Sequence, residues 1–230
     1  MIKQVFILAA GKGTRMMPLT KNTPKPLIEV NNISMLDRIL QKIENLPNID
    51  KILINGFYLA DNLEKYIKNL HNNKICFIKE SVPFETGGGL VNALPYINQD
   101  EPILMINGDI VWQDAALLSE FIDDFIKKDC DILLGLKRKE QFLGYEGGGD
   151  FDIIDNKIIK NKSGEYVYTG IQILHPRILK LVKLPQIPFS LSYFFNNTSK
   201  IKLQGVDFKS KMFHIGDPQS LKKYGNLVDL

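Results

Sequence analysis

The chain has 230 residues, enough to bury a full hydrophobic core, and its 44% hydrophobic and 24% charged residues are ordinary for a globular protein. A net charge of +3 is too small to indicate a protein that binds nucleic acid or a membrane surface. The two cysteines do not have metal-ligand spacing, and the apolar N-terminal run is too short for a signal peptide. No apolar run is long enough to span a membrane. We therefore expect a cytoplasmic protein.

The first half of the sequence alternates short apolar runs with helical patterns. The apolar runs predict strands at 5–10, 51–55, 74–80, 102–107 and 131–136. Apolar residues at helical spacing predict helices over 34–46 behind a Ser34 cap, over 59–70, and after Asp114 through 117–125. Such alternation predicts an α/β fold whose sheet is mostly parallel and flanked by helices.

From Gly144 the pattern changes. The stretch 144–160 is rich in glycine and then alternates, which is typical of a hairpin, and 166–174 predicts a further strand. We expect a helix over 190–197, an extended segment over 200–205, and a last helix over 217–228 with Asp217 as its cap. No linker or repeat interrupts the chain, so the sequence predicts one domain over 1–230, with a small antiparallel elaboration in its second half.

The segment LAAGKGTRMMPLTKNTPKPLIEV (8–30) combines glycines with several cations directly after a strand, where α/β proteins bind phosphates. It is not a dinucleotide fingerprint, because Met16 stands at the third glycine position, and not a Walker loop, because Phe6 stands where that loop requires glycine. A plain tight turn would explain the glycines but not Lys12, Arg15 and Lys25 as well.

This segment resembles the signature of the sugar-phosphate nucleotidyltransferases, which join an NTP to a sugar 1-phosphate. The resemblance implies a Rossmann-like fold of the GT-A type, with nucleotide binding at about 1–136 and sugar binding at about 137–230. It implies three catalytic residues: Arg15 on the β- and γ-phosphates, Lys25 on the reacting phosphate, and Asp109. The nucleotide-binding residues that it implies are Leu8, Ala10, Gly11, Gly13, Thr14, Glu80, Thr86, Gly87, Gly88 and Asn107.

Two further segments continue the resemblance. FETGGG (84–89) is similar to the family's second glycine-rich segment, which lies against the base, and Glu80 falls where relatives place a base-reading side chain. A carboxylate there could accept hydrogen bonds from uracil or guanine, and a solvated strand end is the plain alternative. NGD (107–109) ends a strand with the aspartate that binds Mg²⁺ in the family; a simple turn residue is the alternative for Asp109.

The second half resembles the family less closely. Gly144 and Asp150 match positions near the sugar ring, Thr169 and Gly170 positions near the sugar phosphate, and Lys160 or Lys162 would supply a phosphate-binding lysine.

Relatives carry a second metal-binding aspartate in a W-x-D-V-G-T segment, but here His214 stands at its position and Asp217 at the threonine position. His214 would bind the metal, or Asp217 would replace the carboxylate. In the third alternative, which we favour, Asp109 holds the metal with phosphates and water while His214 donates to a phosphate and Asp217 caps a helix.

Within the family the sequence most resembles the N-acetylmuramate 1-phosphate uridylyltransferases of peptidoglycan recycling, with mannose-1-phosphate guanylyltransferases as the rival. We therefore expect an NTP and a sugar 1-phosphate as partners, Mg²⁺ as cofactor, and a monomer or homodimer. Two hypotheses lie outside the class: a non-catalytic nucleotide-sugar-binding protein, and a nicotinamide-dependent oxidoreductase, which the missing third glycine disfavours.

Overall fold

The structure is a computed structural model that describes residues 1–154, 157–197 and 199–229. Its strands are β1 (Gln4–Leu8), β2 (Glu29–Val30), β3 (Ile33–Ser34), β4 (Lys51–Gly56), β5 (Ile75–Lys79), β6 (Ile103–Asn107), β7 (Ile110–Trp112), β8 (Ile132–Arg138), β9 (Phe142–Leu143), β10 (Phe151–Ile154), β11 (Lys157–Lys160), β12 (Tyr166–Leu174), β13 (Leu203–Asp207) and β14 (Met212–His214). Its helices are α1 (Met35–Glu44), α2 (Ala60–Asn69), α3 (Glu85–Ala93), α4 (Leu117–Lys127), α5 (Ile178–Leu181), α6 (Ser192–Phe195) and α7 (Pro218–Tyr224).

A nine-stranded, mixed and mostly parallel sheet forms the centre of the fold. Its strands follow the order β11-β10-β12-β6-β1-β4-β5, and β8 pairs with both β12 and β13. Strands β6, β1, β4 and β5 run parallel, whereas β12 is antiparallel to both β6 and β8. The carboxyl ends of the four parallel strands therefore share one edge, and the loops that follow them meet there.

Helices cover both faces of this sheet, which explains the continuous apolar runs of its strands. In β1, Val5 and Ile7 belong to a core under α1, α2 and α4, whereas Phe6 belongs to the opposite core under α3, α5 and α6. The predicted Ser34 cap is confirmed, since its hydroxyl accepts a hydrogen bond from the Asp37 amide at 3.0 Å. The predicted α/β architecture is confirmed as well.

A small second sheet brings the C-terminal part of the chain to the end of β6. In it β14 pairs antiparallel with β7 and parallel with β9, so that His214 lies opposite Ile110, the neighbour of Asp109. A third core, which includes Met16, Met35 and Phe213, packs this sheet against α1 and the opening loop. The strands of two or three residues give no period-2 signal, and the sequence pattern did not predict them.

Among the segments singled out in the sequence, three fold differently from what their patterns predict. FETGGG begins a helix, α3, which glycine's poor helix propensity conceals. The predicted helix at 190–197 is a single turn, α6, and the extended segment at 200–205 becomes strand β13 only from Leu203. The predicted hairpin is confirmed as β10 and β11, while its residues 155 and 156 lie outside the described part of the chain. In the described residues, no helix combines the length and apolar character needed to cross a membrane.

Candidate active site

A cavity of about 470 Å³ opens where the carboxyl ends of the parallel strands meet. The opening loop, the ends of β4, β5 and β6, and the start of α3 form its wall. The lining residues are Leu8, Ala9, Ala10, Gly11, Lys12, Lys25, Pro26, Asn55, Glu80, Pro83, Phe84, Glu85, Thr86, Asn107, Gly108 and Asp109. Most of the residues predicted to bind the nucleotide thus share one cavity.

Lys25 and Asp109 form an ion pair in the cavity wall, with 2.7 Å between Nζ and Oδ2. The Gly108 amide donates to the Leu8 carbonyl at 2.9 Å, which ties the turn after β6 to the end of β1 and sets the place of Asp109. Burial alone would raise the pKa of Asp109, but the charge and hydrogen bond of Lys25, with His214 and Arg15 nearby, hold that pKa below its ordinary value. Asp109 is therefore a carboxylate at neutral pH.

The two glycines of the opening loop have different structural reasons. Gly13 has a left-handed φ of 62°, and a Cβ on it would lie 2.9 Å from the Thr20 methyl group and 3.0 Å from the Lys25 Cβ, so the fold itself requires glycine. Gly11 lines the cavity, and a Cβ there would meet nothing within 4 Å. Neither packing nor a left-handed backbone requires glycine at position 11, and the missing side chain leaves this part of the cavity wall open.

Arg15 and Thr14 are exposed and lie outside the cavity wall, on the short 3-10 turn Thr14–Met16. The positive charge of Arg15 nevertheless acts on the pKa of both Asp109 and His214. Arg15 is therefore near the Lys25–Asp109 pair, with its side chain in solvent.

Glu80 is buried, with 4% of its surface exposed, and lines the cavity. Its Oε1 accepts a hydrogen bond from Asn55 Nδ2 at 2.7 Å, and its Oε2 lies 3.5 Å from the Phe84 amide. Burial raises the pKa of Glu80, although these hydrogen bonds act in the opposite direction. The alternative of a solvated strand end is therefore wrong.

Gly87 and Gly88 of FETGGG pack against a neighbouring segment and do not line the cavity. The amides of Gly87 and Gly88 donate to the Phe189 carbonyl at 2.8 and 3.1 Å, and a Cβ on Gly87 would lie 2.4 Å from the Phe189 ring. Both glycines are buried, and the close packing of α3 against the segment around Phe189 accounts for them. Thr86 does line the cavity, and its hydroxyl accepts a hydrogen bond from the Leu191 amide at 2.9 Å.

Some cavity residues were not predicted as site residues. Lys12 and Asn55 are polar, and Asn55 lies next to the end of β4, at the same edge as the predicted residues, which is the signal that could have found it. Glu85 begins α3 with a left-handed φ of 58°, a conformation unusual for a residue with a side chain. Backbone strain of this kind is not visible in a sequence.

The residues predicted for the sugar side are only partly brought together. Gly170 has a φ of 86° and lies against the Asn107 side chain, where a Cβ would be 2.8 Å from Nδ2. Gly144, with a φ of 81°, lies against the His214 carbonyl. These two glycines border the end of β6 and the small sheet, respectively, and so flank Asp109.

The other predicted sugar-side residues have structural partners or lie elsewhere. The Thr169 hydroxyl is buried and donates to the Gly135 carbonyl at 2.8 Å, and Asp150 accepts the Tyr168 amide at 2.9 Å. Lys160 donates to the Asn196 side chain in a separate groove that shares no residue with the cavity. The structure therefore does not bring Lys160 to the site, because strand β11 carries it along the far edge of the sheet.

His214 and Asp217 differ in whether their side chains are already occupied by structural hydrogen bonds. The ring of His214 is half-buried, with Nδ1 3.4 Å from the Gly144 carbonyl, and burial lowers its pKa, so that the ring is neutral at pH 7. Asp217 caps α7: its carboxylate accepts a hydrogen bond from the Ser220 amide at 2.8 Å, and the Ser220 hydroxyl accepts one from the Asp217 amide at 3.2 Å. The predicted cap is confirmed.

Comparison with known proteins supports this description. The model of the nucleotidyl transferase family matches residues 4–146. The chain belongs to the nucleotidyl transferase family. The family resemblance predicted from the opening segment is thereby confirmed.

This nucleotidyl transferase is 29% identical to the N-acetylmuramate alpha-1-phosphate uridylyltransferase of Caulobacter vibrioides, over 95% of the chain and 93% of that protein. It is 33% identical to the bifunctional protein GlmU of Methanococcus maripaludis strain C7, over 96% of the chain but only 53% of GlmU. The structure of HddC from Yersinia pseudotuberculosis complexed with GMP-PN superposes with a TM-score of 0.78 at 25% identity, covering 98% of this chain and 99% of that one.

The nucleotidyl transferase site offers few protein ligands for a metal. No group of three or more His, Cys, Asp or Glu side chains in the described residues could hold an ion. Mg²⁺ commonly takes one or two carboxylates and completes its shell with phosphate oxygens and water, whereas imidazole suits it poorly. The donor set around Asp109 thus fits Mg²⁺ that is bound together with phosphates.

Proposed function

We propose that this protein makes a nucleoside-diphosphate sugar and pyrophosphate from an NTP and a sugar 1-phosphate. The observation that carries the proposal is the Lys25–Asp109 pair, which faces the same cavity as Gly11 and Lys12. Cations, loop amides and one carboxylate in a single cavity suit a triphosphate and its metal ion.

The reaction needs no protein nucleophile, because a sugar-phosphate oxygen is already ionised. That oxygen attacks the α-phosphorus in line; the new P–O bond forms as the bond to the leaving pyrophosphate breaks. Lys25 would stabilise the charge on the α-phosphate, and Arg15 would bind the β- and γ-phosphates from the solvent side. Asp109 would hold Mg²⁺, which supplies neutralising charge to the phosphates when it is bound. Neutral His214, close to Asp109, would donate a hydrogen bond to a phosphate as its Nε2–H tautomer, which gives up the 3.4 Å contact of Nδ1 with the Gly144 carbonyl.

For the substrates we propose UTP and N-acetylmuramate α-1-phosphate, which would place the protein in peptidoglycan recycling. Similarity to the Caulobacter vibrioides uridylyltransferase extends over nearly the full length of both chains, which supports this choice. The buried carboxylate of Glu80 would accept the N3–H of uracil. The same carboxylate would also accept the N1–H and N2–H of guanine, so that mannose-1-phosphate guanylyl transfer is the second candidate.

A pyrophosphate-release assay that crosses four NTPs with a panel of sugar 1-phosphates tests the proposal, in Mg²⁺ and in Mn²⁺. We expect the highest kcat/KM with UTP and N-acetylmuramate α-1-phosphate. Highest activity with GTP and mannose 1-phosphate would replace the substrates but keep the reaction. Tight UTP binding without pyrophosphate release from any pair would instead show a non-catalytic nucleotide-binding protein.

A further inference from the structure

Asn55 connects two walls of the nucleotide cavity. It is the penultimate residue of β4, which lies between β1 and β5 in the sheet, and only 3% of its surface is exposed. Its Oδ1 accepts the amide hydrogen of Ala9, the first residue after β1, at 2.7 Å. Its Nδ2 donates to Oε1 of Glu80, the first residue after β5, also at 2.7 Å. One side chain thus joins the ends of two strands that do not touch each other.

The two groups held by Asn55 face different parts of the proposed nucleotide. Ala9 opens the loop that carries Gly11 and Lys12, where the phosphates would lie, and Glu80 lies on the opposite side of Asn55, where the base would lie. We infer that Asn55 is a positioning residue of the nucleotide site, which fixes the distance and orientation between the opening loop and the Glu80 carboxylate. The inference rests on the proposed function, because it assumes that an NTP occupies this cavity.

The surroundings leave Glu80 little other support. Among the residues that the structure describes, its second oxygen has only the long 3.5 Å contact with the Phe84 amide. A Cβ on Gly89 of α3 would lie 3.1 Å from both Asn55 Nδ2 and Glu80 Oε1, so the helix closes directly over the pair. Without Asn55, the carboxylate would lose its shortest hydrogen bond and the freedom of its rotamer would increase.

The test compares two buried amides at opposite ends of the neighbouring parallel strands β1 and β4. Gln4 is also 3% exposed, and its amide group binds the 98–101 loop through hydrogen bonds of 2.8, 2.9 and 3.1 Å at the amino end of β1. Gln4→Ala therefore matches Asn55→Ala in the loss of a buried amide but lies away from the cavity. Binding of UTP with MgCl₂ is measured by calorimetry for each variant, and of GTP if the wild type prefers it, together with the KM for each substrate.

We expect Asn55→Ala to raise the Kd and the KM for the nucleotide about tenfold or more, with a change of less than about threefold in the KM for the sugar phosphate. Asn55→Asp keeps an acceptor for Ala9 but sets a carboxylate against Glu80, and should weaken nucleotide binding even if Asn55→Ala does not fold. Gln4→Ala should lower stability and leave both KM values unchanged.

A double-mutant cycle with Glu80→Ala, which removes the acceptor of Asn55 Nδ2, adds a second measurement. The effect of Asn55→Ala on nucleotide binding should shrink in the Glu80→Ala background, since the two residues act through one contact. Unchanged nucleotide binding in folded Asn55→Ala and Asn55→Asp, or equal effects of Asn55→Ala and Gln4→Ala, would overturn the inference alone. A wild-type protein that binds neither UTP nor GTP would overturn the proposed function and the inference together.

Discussion

Lys25 is largely buried and its ammonium group lies 2.7 Å from the Asp109 carboxylate, at the place where charge would gather during the proposed transfer. Lys25→Ala should lower kcat by roughly a hundredfold or more, because loss of one such contact typically costs about 3 kcal/mol of transition-state stabilisation. Pyrophosphate release measures the rate, and denaturant unfolding shows whether the variant is folded. Lys21→Ala, an exposed lysine of the same loop, should retain normal activity. A folded Lys25→Ala protein with near-normal kcat would exclude the proposed role.

Gly11 and Gly13 are separated by one residue but should respond differently to alanine. Gly13→Ala places a Cβ in a left-handed backbone against Thr20 and Lys25, which should cost about 1–3 kcal/mol of unfolding free energy. Gly11→Ala should change stability by less than about 0.5 kcal/mol and still weaken nucleotide binding, since its Cβ points into open space at the cavity. Urea unfolding and UTP titration of both variants check this, and equal effects on stability would contradict it.

At the level of single elements, α3 depends on its close approach to the segment around Phe189. Because a Cβ on Gly87 would lie 2.4 Å from the Phe189 ring and 2.9 Å from its carbonyl oxygen, Gly87→Ala should force α3 outward. We expect a loss of about 1–3 kcal/mol in the free energy of unfolding, measured by urea denaturation, with Gly11→Ala as the uncrowded control. An unchanged urea midpoint would show that α3 does not need this glycine.

Substitutions of Asp217, at the start of helix α7, distinguish a role as helix cap from a role as metal ligand. Asp217→Ala should destabilise the protein by about 1 kcal/mol, because the Ser220 amide loses its acceptor. Asp217→Asn keeps an acceptor oxygen and should retain both stability and kcat, measured by thermal unfolding and pyrophosphate release. A folded Asp217→Asn protein without activity would instead give the carboxylate a direct role in the reaction.

At the scale of the whole molecule, the predictable features are those that depend on neighbouring residues. Strands such as β1 are recognisable because Val5, Phe6 and Ile7 fill cores on both faces of the sheet, which requires a continuous apolar run. The cap of α7 is likewise local. Helix α3 is not recognisable, because its glycines oppose helix formation and their neighbours are distant in sequence, such as Phe189 for Gly87 and Glu80 for Gly89.

The residues of the candidate site likewise divide into those that local motifs predict and those whose position depends on distant strand pairing. Lys25 and Asp109 were predicted to act together because both belong to motifs, and the shared edge of β1 and β6 brings their segments to one cavity. The nearness of His214 to Asp109 depends on the pairing of β7 with β14, which no local pattern shows. The position of Lys160 similarly depends on how the β10–β11 hairpin folds. The sequence placed Lys160 at the phosphate site, whereas the structure places it at the far edge of the sheet.

The sum of the carboxylate environments predicts how the folded protein responds to acid. Hydrogen bonds or nearby cations lower the pKa of Asp109, Asp129, Asp152, Asp217 and Asp229, the last to about 2 through Arg38, whereas burial raises the pKa of Glu80. A carboxyl group with a lowered pKa in the folded state stabilises that state above its unfolded pKa. This contribution is lost as the pH falls through the folded value.

The aspartates outnumber Glu80, so the free energy of unfolding should fall as the pH decreases from about 5 to 2. Urea unfolding across this range measures the slope. Asp229→Asn should flatten its most acidic part, because Arg38 then has no titrating partner there: in the folded protein its guanidinium contacts both carboxylate oxygens of Asp229, at 2.6 and 2.8 Å. Constant stability between pH 5 and 2 would show that these ion pairs and caps are equally formed in the unfolded chain.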